Sequence, residues 1–83
     1  MVKVTFKASG DVVRLFVDGV ALPISGTASK NVGEGEHAVQ WFVRGDPGDD
    51  FSLEVTSPPA AARKITGTID TSGHDAGTFW LLV

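Results

Sequence analysis

The acidic residues are the first candidates for chemistry. Asp46, Asp49 and Asp50 stand in one turn-forming stretch, Gly45-Asp46-Pro47-Gly48-Asp49-Asp50, and Asp70 and Asp75 follow further on. Calcium takes roughly six to eight oxygen ligands, and neighbouring carboxylates in a glycine-rich loop can supply several of them. The ordered Asp-x-Asp-x-Asp-Gly spacing of an EF-hand loop is absent. Asp and Gly are also the residues that turns demand, so no metal site is assigned. The chain has no cysteine, which removes disulfides and thiolate metal sites together. Its two imidazoles are His37 and His74. Ser72, His74 and Asp75 supply the residue types of a hydrolytic triad. Side chains so close on a loop point apart, however, and a triad is assembled from distant segments. A Gly-x-Ser-x-Gly elbow is also missing. The expectation is a noncatalytic protein with no catalytic residue, no cofactor and no resident metal.

The two tryptophans carry more weight. An indole exposed on a sheet face stacks on the apolar side of a sugar ring, being large, flat and amphipathic. Trp41 is in register with Val39 and Val43, which marks a core side. Trp80 steps with Thr78 and Leu82, and the pattern leaves its face open. A ligand site built on Trp80 would draw its polar groups from Asp46, Asp49, Asp50, His74 and Asp75, and a glycan is the ligand it would take. Lys3, Lys7 and Arg14 around Phe16 form a sparse basic-aromatic set on the outside of the first two strands. In a chain of net charge −3 this does not amount to the clustered cations that neutralise phosphates, so no nucleic-acid partner is expected.

These residues need elements to hold them. Val2, Val4, Phe6 and Ala8 alternate with Lys3, Thr5, Lys7 and Ser9, the period of a half-buried strand. Gly10-Asp11 breaks it. Val13, Leu15 and Val17 then alternate with Val12, Arg14, Phe16 and Asp18. Asp18-Gly19 stands between two apolar runs, the strongest short-range signal of a hairpin, because a type I′ turn needs positive φ at both central residues. Residues 20–22 start the returning strand, and Pro23, which lacks a ladder donor, makes it short or peripheral. A minor strand is expected at 28–32 and a turn at 33–36.

The most aromatic strand follows at 37–44, with Gln40 and Arg44 on the side opposite Trp41. Another strand runs over 51–56. Residues 58–62 are read as a crossing loop, since three alanines are too few to nucleate a helix. Strands are expected at 63–70 and 78–83, joined by a turn-rich loop at 71–77. The last of these, Phe79-Trp80-Leu81-Leu82-Val83, is apolar on both sides. It must be central in its sheet or be covered, and at an edge it would template pairing with another chain.

The 83 residues make a single domain, 1–83. Seven or eight short strands with no helix, separated by turns, predict an all-β fold, a small antiparallel β-sandwich, Ig-like in general architecture. No apolar run reaches the roughly 18 residues of a membrane span. No signal peptide is expected, which leaves either the cytoplasm or a domain of an exported chain.

The stretch 15–55 also resembles PEGA-type modules, small bacterial Ig-like β domains. The matching residues are Val17-Asp18-Gly19 after a strand, Gly35-Glu36-His37-Ala38-Val39, Gly45, and the strand 51–55; the family's Gly-x-x-Pro segment between the first two is missing. The resemblance implies a noncatalytic module of surface or envelope proteins. Two functional expectations result. One is association with another protein or a neighbouring domain, or a homodimer through the C-terminal strand. The other is carbohydrate binding at Trp80 and the acidic loops.

Overall fold

Alternation decides which side each strand turns inward. In β1 (Val2–Ser9), Val4 and Phe6 are buried and Lys3 and Lys7 exposed. In β5 (Glu36–Arg44), Val39, Trp41 and Val43 are buried while Gln40, Phe42 and Arg44 face out. In β6 (Asp50–Ser57) the buried set is Phe51, Leu53 and Val55. The computed structural model describes residues 1–10 and 12–83. The side chain of Val12 also lies outside the description, as does the Asp11 half of the expected Gly10-Asp11 break.

The remaining strands are β2 (Val12–Val17), β3 (Val20–Leu22), β4 (Thr27–Val32), β7 (Arg63–Thr68) and β8 (His74–Leu82). They form two four-stranded antiparallel sheets, in the orders β4-β1-β6-β7 and β3-β2-β5-β8. The molecule is a small antiparallel β-sandwich. β2 and β3 form the expected hairpin, with Val17 opposite Val20 and positive φ at both Asp18 (51°) and Gly19 (79°). The crossing segment after β6 contains one 3₁₀ turn, Pro59–Ala61. No helix among the described residues is long and apolar enough to cross a membrane.

The inner sides of the two sheets meet over one hydrophobic core, and Trp41 and Phe51 touch at its centre, with ring centroids 5.4 Å apart. Each of these rings lies across a glycine on the adjacent strand. Trp41 is directly opposite Gly77 of β8, and Phe51 is opposite Gly67 of β7. A methyl group on Gly67 would lie 2.6 Å from Phe51 Cζ, and one on Gly77 2.7 Å from Trp41 Cε2. The missing side chains therefore leave the space that these ring atoms occupy. The Arg63 guanidinium stands 4.6 Å from the centre of the Phe79 ring, a cation–π contact between β7 and β8.

Two boundaries differ from expectation by more than one residue. The last strand begins at His74 rather than 78, and β7 ends at Thr68 rather than 70. Residues 74–77 look like turn formers, but they complete a ladder with β5 that runs from Arg44 opposite His74 to Glu36 opposite Leu82. The pairing overrides local preference. Ile69 leaves the strand yet stays buried, so the loop after β7 still feeds the core.

Candidate functional site

The register across β2, β5 and β8 builds the outer face of the second sheet row by row. Arg14, Phe42 and Ala76 lie side by side, then Phe16, Gln40 and Thr78, then Ala38 and Trp80, then Glu36 and Leu82. Arg44 and His74 close the far end. This face is aromatic to an unusual degree for one turned to solvent. Phe42 is 46% exposed, Trp80 66% and Leu82 68%. Phe16 meets Phe42 edge-on, with centroids 5.7 Å apart at 90°. That arrangement suits the ring quadrupoles. Phe42 floors an open depression of about 530 Å³, walled by Arg14, Arg44, His74 and Asp75.

Trp80, whose face the pattern left open, belongs to this outer surface. Its neighbours are Ala38 across the ladder, Thr78 and Leu82 along its own strand, and Gln40 and Glu36 on the diagonals. The other five predicted ligand residues gather elsewhere. Trp80 and His74 are six residues apart on β8, about 20 Å at strand rise. Asp46, Asp49, Asp50, His74 and Asp75 collect at the end of the sandwich where the 45–50 and 69–74 loops are laced together. The lacing bonds run from Gly45 N–H to Gly73 O (2.9 Å), Gly48 N–H to Ile69 O (2.8 Å) and Ile69 N–H to Asp49 O (2.8 Å).

The carboxylates there serve the local backbone and hydroxyls. Asp49 Oδ2 accepts the Asp46 N–H at 3.2 Å, Asp50 Oδ1 accepts the Thr68 hydroxyl at 2.9 Å, and Asp75 Oδ1 accepts the Ala76 N–H at 2.8 Å. Asp70 accepts both the hydroxyl and the N–H of Ser72, which holds its carboxyl below the usual range. Among the described residues no three acids or imidazoles form a group suited to a metal ion. Ser72 Oγ does reach His74 Nδ1 at 3.1 Å. The carboxylate in contact, Asp70, binds the serine rather than the imidazole. That inverts the order in which a triad orients its base, and all three residues are exposed.

At the opposite end, His37 is held by two acceptors. Its Nδ1 lies 2.6 Å from Asp18 Oδ2 and its Nε2 lies 2.6 Å from Gly33 O. A carboxylate and a carbonyl both only accept, so each ring nitrogen must carry a proton, and the geometry calls for the imidazolium. The Asp18 hydrogen bond, then that of the Gly33 carbonyl, raises the pKa of His37. The same bond, with the Ala38 N–H at 2.9 Å to Asp18 Oδ1, lowers that of Asp18. Both ring nitrogens are engaged by these two contacts. The ring fastens the β2–β3 turn to β5.

Phe42 is the site residue that sequence reasoning passed over. The signal was there, since strict alternation places it with Gln40 and Arg44 on the side away from Trp41. The chain matches no protein-family model, no curated protein and no solved structure.

Proposed function

We propose that the domain is a noncatalytic module that associates with another polypeptide, a partner protein or a neighbouring domain, through the outer face of the β3-β2-β5-β8 sheet and the edge strand β8. One observation carries this reading. The exposed Trp80 and Leu82 sit on a strand that is also the unpaired edge of its sheet. Soluble domains keep exposed apolar patches small and blunt their strand edges, and here both restraints are relaxed in one place. The resemblance to PEGA-type modules supports a noncatalytic role. The Asp18–His37 bond gives a physical reason for its two short stretches to occur together.

The test is a photo-crosslinking amino acid placed at Trp80, with a control at Thr66, which is exposed on β7 of the other sheet. Adducts to a polypeptide from position 80 and none from position 66 are expected. Silence at position 80 in the host cell overturns the reading.

A carbohydrate ligand is the second reading, favoured by Gln40 and Thr78 beside the exposed indole of Trp80. A panel of soluble oligosaccharides titrated against the two indole N–H signals decides it. Saturable shifts at Trp80 alone would establish glycan binding, and an unmoved indole with every sugar removes it.

A further inference from the structure

The bonds at the two ends of the β5–β8 ladder fix its phase. Gly35 and Val83 exchange both backbone bonds, at 2.7 and 3.0 Å, and Gly45 N–H bonds Gly73 O at 2.9 Å. Bonded and non-bonded pairs alternate along an antiparallel ladder. With His37 opposite Leu81 and Val43 opposite Asp75, the odd-numbered residues of β8 therefore bond to β5. The even-numbered ones, Ala76, Thr78, Trp80 and Leu82, turn their N–H and C=O groups to the free side.

Side chains close the beginning of that side. Ser72 Oγ sits 3.0 Å from His74 O and 3.5 Å from His74 N, and Asp75 Oδ1 takes the Ala76 N–H. Among the described residues, what stays open runs from the carbonyl of Ala76 to that of Leu82. It consists of the N–H groups of Thr78, Trp80 and Leu82 and the carbonyls of all four residues. The stretch contains no proline and no charge. The other edges are blunted in recognised ways: β3 has three residues and is followed by Pro23, β4 carries Lys30, and β7 carries Arg63 and Lys64.

We propose that this edge takes a second copy of the chain, β8 against β8, antiparallel about a twofold axis at Phe79. The proposal rests on the association reading and names its partner. The open segment is its own complement when reversed. Ala76 then faces Leu82 of the copy, and Thr78 faces Trp80. The N–H of Thr78 meets the carbonyl of Trp80, that of Trp80 the carbonyl of Thr78, and that of Leu82 the carbonyl of Ala76, with the same three bonds returned by the copy. Every open donor is used. No charge on the segment calls for a partner of opposite sign, and a twofold contact needs such a self-complementary patch. The two Trp80 rings become diagonal neighbours, within reach of one another, and the aromatic faces join across an eight-stranded sheet.

Sedimentation equilibrium of the whole domain, from micromolar to millimolar concentration, tests this together with amide exchange. The mass should double with concentration. In the dimer the amides of Thr78, Trp80 and Leu82 should gain protection, while those of Phe79 and Leu81, already bonded to β5, should change little. Thr78→Pro removes only an outward donor, a substitution edge strands accept, and should weaken self-association by about 10- to 100-fold. Thr78→Lys replaces it if the proline disturbs folding, and should act in the same direction. A monomer at millimolar concentration overturns self-pairing, as does a dimer of undiminished affinity in the folded Thr78 variant or one without new protection at the three amides. Crosslinking at position 80 separates the two readings. An adduct of twice the chain mass supports both, an adduct with a different polypeptide overturns self-pairing alone, and no adduct overturns both.

Discussion

His37 is a residue whose chemistry holds the fold, tying the β2–β3 turn to β5 through Asp18. Its folded-state pKa is raised above the ordinary 6.5, so its contribution to stability is complete below 6.5 and is lost as pH rises through the folded value. Asp18 is displaced downward from 3.8. Its contribution is present above that value and is lost as pH falls through the depressed one. The pair should therefore give a plateau of stability in mildly acidic solution and a decline on the alkaline side of 6.5. Thermal unfolding across this range should show the decline in the native chain and a flatter profile in His37→Gln. Asp18→Asn should flatten it too while keeping the hairpin, because Asn tolerates the positive φ of 51° at this turn position. A decline of equal size in His37→Gln would assign the effect to other groups. The sequence showed Asp-Gly as a turn, which holds, and His37 as the start of a strand that in fact begins one residue earlier, at Glu36. The bond between them was invisible, because it joins residues 19 positions apart whose proximity depends on β2 lying beside β5.

The strands show the same division between what a local pattern reveals and what pairing adds. Alternation along β1, β5 and β6 was enough to name their buried sides, since the side-chain period of two is a property of a single strand. The start of β8 was hidden because Asp75 and Gly77 are turn formers by preference. In the sheet Gly77 is the floor beneath Trp41, as Gly67 is beneath Phe51. Both rings are buried and packed against each other, so neither has room to withdraw from an added methyl group. Gly77→Ala and Gly67→Ala should each destabilise the domain by about 1–3 kcal/mol, the usual cost of overpacking a filled core. Gly33→Ala, where nothing lies within 4 Å, should change stability by no more than about 0.5 kcal/mol. Urea unfolding of the three variants measures the difference. Equal midpoints for Gly77→Ala and Gly33→Ala would mean the ring is free to move aside.

In the whole molecule, distant stretches become neighbours. Ser9 pairs with Ser52, Val12 with Arg44 and Val2 with Val32. No window of sequence shows such pairs, which is why the sandwich was legible and its strand order was not. That order puts β8 at an edge, where a strand apolar on both sides buries Phe79 and Leu81 in the core and turns Trp80 and Leu82 to solvent. It also assigns the two tryptophans opposite duties. Trp41, 7% exposed, is a keystone of the core, and Trp80, 66% exposed, contributes little to it. Trp41→Ala should cost about 3–5 kcal/mol, a large part of the roughly 5–15 kcal/mol that keeps a domain folded. Trp80→Lys should leave stability within about 0.5 kcal/mol and yet abolish association, by placing a charge at the centre of the open edge and removing its largest apolar group. Denaturant unfolding and sedimentation of the same two variants separate these effects. A Trp80→Lys chain that unfolds as readily as Trp41→Ala would make the outer face a part of the fold. One that stays folded but no longer associates would make it the surface on which the domain acts.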